Sequence, residues 1–118
     1  MLNQQAVIEQ VKSLLNEILQ NGVSLRKVIL FGSFAKNTQH LYSDIDVCLV
    51  ADDFIGLAFI DMEKFIKILI KKEYTLIQIK TYSTLEYLES NPFIDEINKT
   101  GITIFDTLPE PALQRMHS

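Results

Sequence analysis

A single cysteine, Cys48, no tryptophan, three prolines and four glycines are spread over 118 residues. One thiol excludes an internal disulfide framework and a cysteine-built zinc site. No apolar run approaches the roughly 20 residues that a membrane-spanning helix needs. Basic residues are also in short supply: 11 Lys and Arg stand against 15 Asp and Glu, a net charge of −4. Direct binding of duplex DNA or RNA is therefore not expected. The opening Met1-Leu2-Asn3-Gln4-Gln5 lacks the basic flank and apolar stretch of a signal peptide, so a cytoplasmic location is expected, with no membrane partner. Repeats and low-complexity tracts are missing too. What is there is ordinary for a globular chain: 47% apolar and 22% charged residues, too hydrophobic to stay disordered. A chain of this length makes one compact domain. That domain is expected over 1–108, with a flexible tail over 109–118.

Val7, Val11, Leu14, Leu15 and Ile18 recur on one helical face, which predicts an amphipathic helix over 3–20. Asn21-Gly22 should end it, because a left-handed residue costs least as Gly or Asn. Lys27-Val28-Ile29-Leu30-Phe31 reads as a strand covered on both faces, broken by Gly32-Ser33. Residues 36–43 are expected to form one helical turn and a loop. In the next strand, 44–50, Ile45, Val47 and Leu49 face one side and Asp44, Asp46 and Cys48 the other. A helix is predicted over 57–72, with Phe59, Met62, Phe65, Ile66 and Leu69 inward. Its Lys64, Lys67, Lys71 and Lys72 suit a solvated face better than an RNA track, and the last of them suit the negative end of the helix dipole. Residues 74–80 alternate as a third strand, with Tyr74, Leu76, Gln78 and Lys80 on one face. Ser83-Thr84-Leu85-Glu86 is a capping box. Asn91-Pro92 opens a further helix through Lys99, which Gly101 stops. Ile102 to Phe105 makes a fourth strand. The order α-β-α-β-α-β-α-α-β predicts an α/β (α+β) two-layer sandwich, a small mixed sheet flanked by helices.

Two places in this pattern carry chemistry. Gly32-Ser33 follows a buried strand and precedes a helical turn. Gly32 lets a ligand approach the backbone closely, and the amides beyond it point outward at a helix start, an arrangement suited to phosphate. Ser33 adds a hydroxyl. Taken alone, the commoner reading of such a turn is a strand-to-helix junction with Ser33 as its N-cap. The second place is Ser43-Asp44-Ile45-Asp46-Val47. Residues i and i+2 of a strand share a face, roughly 6.6 Å apart. Two carboxylates so placed can grip divalent cations, and paired cations in such sites stand about 3.5–4 Å apart. Magnesium is the natural ion, since it prefers oxygen ligands and binds beside substrate phosphates. Acids on an exposed sheet face can also be merely solvated. The apolar neighbours Ile29, Leu30 and Val47 to Val50 argue for a central strand, where unpaired acids are costly.

Ten residues, 34–43, separate Ser33 from Asp44. With Leu30-Phe31-Gly32-Ser33-Phe34-Ala35-Lys36 on one side and Ser43-Asp44-Ile45-Asp46-Val47 on the other, the chain resembles the nucleotidyltransferase superfamily that includes DNA polymerase β. Within it, the resemblance is to the minimal nucleotidyltransferase (MNT) group, from the opening helix to Lys99-Thr100-Gly101-Ile102. The resemblance implies transfer of a nucleoside monophosphate from an NTP, with ATP as substrate, to a hydroxyl, with release of pyrophosphate. It implies that Gly32 and Ser33 hold the β/γ-phosphates and that Asp44 and Asp46 ligate two Mg²⁺ ions, or Mn²⁺ in their place. Lys36 stands where relatives often carry Arg and would reach the triphosphate as a point charge. Asn37 stands where relatives often carry Gly, and Asn tolerates positive φ. Active relatives usually place a third carboxylate on the next strand. Here that position is Gln78, which is neutral and cannot act as a base, and alternation puts Glu73 on the opposite face.

The other candidates have plainer readings. Cys48 continues the carboxylate face by alternation and reads as packing. His40, in the loop between the motifs, could touch a nucleotide but reads first as solvated. His117 carries no assignment. Tyr74, Tyr82 and Tyr87 read as packing before base or partner contacts.

Two functions follow. The resemblance implies an MNT-type enzyme acting on a partner protein, as in antitoxins that modify a HEPN-domain toxin encoded nearby, and the acidic charge suits a basic partner surface. The alternative, favoured by Gln78, is a catalytically impaired nucleotide-binding protein that neutralises its partner by complex formation. An antibiotic-modifying enzyme would need a second substrate-binding domain or subunit. A homodimer is compatible with either function.

Overall fold

In the computed structural model, which describes residues 2–108, Asn3 starts the chain's first helix, α1 (Gln4–Gln20). Its side chain accepts from the Ala6 amide at 2.8 Å, so one of the orphan N–H groups of the first turn is satisfied. Val7, Val11, Leu14, Leu15 and Ile18 are buried, the face that the spacing predicts. Gly22, at φ 84°, turns the chain out of the helix. The expected tail over 109–118 lies outside the described residues.

The four strands are β1 (Lys27–Phe31), β2 (Ile45–Ala51), β3 (Ile77–Ser83) and β4 (Ile102–Asp106). They form one mixed sheet in the order β3-β2-β1-β4. β1 runs antiparallel to β2 and β4, and β2 runs parallel to β3. The larger core lies between one face of the sheet (Val28, Leu30, Ile45, Val47, Leu49 and Ile77) and α1 with Phe65 and Ile68. A smaller core covers part of the other face. There Ile29, Cys48, Val50 and Tyr82 meet Tyr87 of α5 (Thr84–Glu89) and Ile94 and Ile97 of α6 (Pro92–Thr100). Both helices start as the sequence predicts: Ser83 and Glu86 form a complete capping box, and Asn91 caps α6 ahead of Pro92. This is the expected α+β sheet flanked by helices.

Three expectations need correction. The helical turn expected within 36–43 forms earlier, as α2 (Ser33–Lys36), because the chain turns into helix directly at Gly32. The single helix expected over 57–72 is broken into α3 (Ala58–Asp61), a 3₁₀ turn (Met62–Phe65) and α4 (Ile66–Leu69). A 3₁₀ turn advances three residues per turn, which shifts the buried stripe. Phe65 stays buried and Met62 and Leu69 are half-buried, but Phe59 is 71% exposed and Ile66 43%. Asp61 goes inward instead, accepting from the Ile55 and Gly56 amides, each at 3.0 Å, and from Thr81 Oγ1 at 2.6 Å. Last, β3 begins at Ile77 rather than Tyr74. Tyr74 sits buried in a 3₁₀ turn (Lys72–Tyr74), its hydroxyl hydrogen-bonded to Glu17 and Ser13 of α1. That tie to α1 outweighs the alternation of residues 74–76.

Candidate functional site

The smaller core leaves one end of its sheet face open, and there the two sequence motifs meet. Gly32 is the residue before α2, at φ 75° and ψ −155°, a conformation that L side chains rarely adopt. A Cβ at Gly32 would overlap Asp46 Oδ2 and would lie 3.1 Å from Asp46 Cγ. The glycine is therefore required twice, by its dihedral angle and by the carboxylate lying against it. Ser33 is the first helical residue, and the N-cap is Gly32 rather than the serine. A helix of four residues cannot hold itself together, and α2 is held from outside. Phe34 is buried in the larger core, and the Gln4 amide of α1 donates to the Phe34 carbonyl at 2.9 Å and to the Ala35 carbonyl at 3.2 Å. Asn37 closes the turn in the left-handed region at φ 58°, as its tolerance for positive φ allows.

Asp46 is the second residue of β2. Its neighbours across the sheet are Phe31 on β1 and Gln78 on β3. Directly paired residues share a face, so Phe31, Asp46 and Gln78 form one row on the open side. Asp44 sits two residues earlier, just before the strand, and is exposed. The Asp46 carboxyl is half-buried and is raised from its ordinary value, first by burial and then by the charge of Asp44, with no hydrogen bond among the described residues to offset either. The fold thus holds a carboxylate at a place where its own charge is penalised. The oxygen donors there are the two carboxylates and the exposed amide of Gln78, a set suited to a hard divalent cation. Among the described residues no three His, Cys, Asp or Glu side chains converge on a metal-sized centre.

The next row along the same face pairs Cys48 with Lys80. Cys48 is fully buried, and burial pushes its thiol up to about 12 even though Lys80 and Lys27 pull it down. It is a packing residue. Lys80 is exposed and lays its Nζ 5.2 Å from the Tyr82 ring centroid. Lys36, at the end of α2, pairs at 3.8 Å with Glu96 of α6, so its ammonium is directed toward that helix. Glu73 lies outside β3, and its carbonyl accepts from Gln10 of α1, which packs on the other sheet face. It does not reach the Asp46 row. His40 is exposed in the 37–44 loop, its Nδ1 accepting from the Tyr42 amide at 3.3 Å. Tyr74, Tyr82 and Tyr87 are buried, in keeping with packing roles.

Sequence reasoning passed over one feature of this site. Phe93, the second residue of α6, stands 48% exposed and meets the Phe31 ring edge-on, with centroids 5.8 Å apart. An aromatic wall thus stands next to Asp46. Phe31 was visible in the motif, but 61 positions of chain separate it from Phe93, and no local pattern announces their meeting.

The family model described as "Polymerase beta, Nucleotidyltransferase" matches residues 13–110, most of the chain. Among solved structures, the chain is similar to a protein from Sulfolobus solfataricus assigned as a nucleotidyltransferase, with 17% identity and a TM-score of 0.64 over 88% of this chain and 84% of that one. A toxin–antitoxin structure with AMP-PNP is similar at 21% identity and a TM-score of 0.55, covering 80% and 73% of the two chains. A mutant of the toxin–antitoxin MntA-HpeT follows at 20% identity and a TM-score of 0.53, covering 90% and 75%. At these identities the likeness is one of fold. No curated protein matches the sequence.

Proposed function

The chain belongs to the polymerase beta nucleotidyltransferase family, and from that membership we propose that it transfers a nucleoside monophosphate, AMP from ATP in the first instance, to a hydroxyl on a partner protein, in the role of an antitoxin. The observation that carries this reading is the apposition of Gly32 and Asp46: a positive-φ glycine turn at a helix start and a charge-penalised carboxylate share one open end of the sheet. The toxin–antitoxin structures of similar fold support the partner assignment, and a HEPN-domain toxin encoded nearby is the partner to test.

In this reading Gly32 admits the triphosphate to the backbone, Ser33 donates its hydroxyl to a β- or γ-phosphate oxygen, and Lys36 leaves Glu96 for the same phosphates. Asp44 and Asp46 would hold Mg²⁺, or Mn²⁺ in its place; the half-buried Asp46, its charge relieved by no hydrogen bond among the described residues, fits such an ion. When bound, the ion neutralises charge on the phosphates. The acceptor oxygen forms a bond to the α-phosphorus as the bond to the β-phosphate bridging oxygen breaks, and pyrophosphate leaves. Gln78 cannot accept the hydroxyl proton, which passes to water.

A second reading is favoured by the same residue. With Gln78 rather than an acid beside Asp46, the chain binds nucleotide and neutralises its partner by contact alone. Incubation with radiolabelled ATP and Mg²⁺, with and without the product of the neighbouring gene, separates the two. Label on the partner, lost in Asp44→Asn/Asp46→Asn, supports transfer. A stable complex without label supports contact alone.

A further inference from the structure

We infer that this site takes a nucleoside triphosphate together with one divalent cation rather than two, and that Gln78 sets that number. The inference rests on the nucleotidyl reading above and concerns how far the site can go in carrying it out.

The argument starts from register. Parallel pairing of β2 with β3 sets Gln78 opposite Asp46 and Lys80 opposite Cys48. Residues two apart on a strand share a face, so what β3 offers beside Asp46 is the neutral amide of Gln78, while Lys80 lays its ammonium over the Tyr82 ring one row further on. Asp44 and Asp46 are two carboxylates, and the triphosphate's own oxygens complete the ligand shell of the one divalent ion that comes with it. A second ion about 3.5–4 Å from the first would find a single amide oxygen from β3. No other acid repairs the deficit: among the described residues no third carboxylate converges with these two, and Glu73 is held on the α1 side of the sheet.

The consequence is a division of labour. The phosphates keep their cation, and the acceptor hydroxyl has none to lower its pKa, so nucleotide binding is retained while transfer is slowed.

The test counts ions. Full-length protein is titrated with Mn²⁺ and a non-hydrolysable ATP analogue, and bound Mn²⁺ is read by electron paramagnetic resonance. Wild type is expected to hold one Mn²⁺ per bound analogue. Gln78→Glu, isosteric and at an exposed position that leaves the core untouched, is expected to hold two, with the spectral signature of two coupled ions. Gln78→Ala is expected to stay at one. Two ions in the wild type overturn the inference. One ion in both Gln78→Glu and Gln78→Asp overturns the assignment to Gln78. Absence of any analogue binding overturns the nucleotidyl reading itself, an outcome distinct from the other two.

Discussion

Gly32 and Asp46 constrain each other so tightly that each can be tested through the other. Alanine at Gly32 has to adopt positive φ and to push the Asp46 carboxylate from its place. Backbone strain of this kind costs about 1–3 kcal/mol and overpacking a similar amount. Gly32→Ala is expected to lower the urea midpoint by an amount equivalent to about 2–4 kcal/mol and to abolish binding of an ATP analogue. An unchanged midpoint would show that Asp46 is free to move aside. Asp46→Asn acts in the opposite direction on stability. The folded-state pKa of Asp46 is raised by burial and by Asp44, so the folded protein holds that proton more tightly than the unfolded chain. Stability from this group is present at low pH and is lost as pH rises from the ordinary carboxylate range through the folded-state value. Removing the charge removes that loss. Asp46→Asn should therefore raise Tm at neutral pH and should converge on wild type at acid pH. It should also cost cation binding, so greater stability with poorer binding is the signature. Much of this site was legible in the sequence: Gly32-Ser33 is a turn after a buried strand, Asp44 and Asp46 share a face by alternation, and the family resemblance singled out Gln78. Phe93, and the Glu96 partner of Lys36, were not, since their meeting with the site depends on the path of α6.

Among the elements, those whose ends are written in local chemistry came out as expected, and those that depend on distant partners did not. Asn3, the Ser83–Glu86 box and Asn91-Pro92 fix helix starts by hydrogen bonds within a turn. The 57–72 segment has no such instruction, and its course is decided by Asp61, which ties the Ile55 and Gly56 amides to Thr81 of β3. A buried carboxylate receiving three donors is a structural hub. Asp61→Ala leaves those donors unpaired, which costs about 2–4 kcal/mol. The expected result is a lower urea midpoint, with binding of an ATP analogue retained under conditions where the variant is folded. If stability were unchanged, the segment would be held by Phe65 and Ile68 alone. α2 is the contrasting case: its four residues carry the Gly32-Ser33 turn, yet its placement comes from Gln4 at the start of α1, a link of 30 residues that no spacing rule conveys.

At the scale of the whole molecule, the strand order β3-β2-β1-β4 is what turns two motifs into one site. Strand existence could be read from apolar runs, but pairing is non-local, and only the parallel β2–β3 register puts Gln78 beside Asp46. The net charge of −4 acts over the same scale. If the partner presents a basic surface, association draws on long-range attraction that salt removes, because the Debye length falls from about 10 Å at 0.1 M to about 3 Å at 1 M. The complex is therefore expected to form more slowly as salt rises, with the change falling on the association rate. Asp44→Asn/Asp46→Asn moves the net charge from −4 to −2, so it should lose part of that attraction while transfer falls to background. Surface plasmon resonance across a salt series, run beside the radiolabel assay, separates the two effects. A double variant that associates within about tenfold of wild type but transfers nothing places chemistry at the two aspartates and recognition elsewhere on the acidic surface. An association rate indifferent to salt would remove charge from the account and leave apolar contact as the basis of recognition.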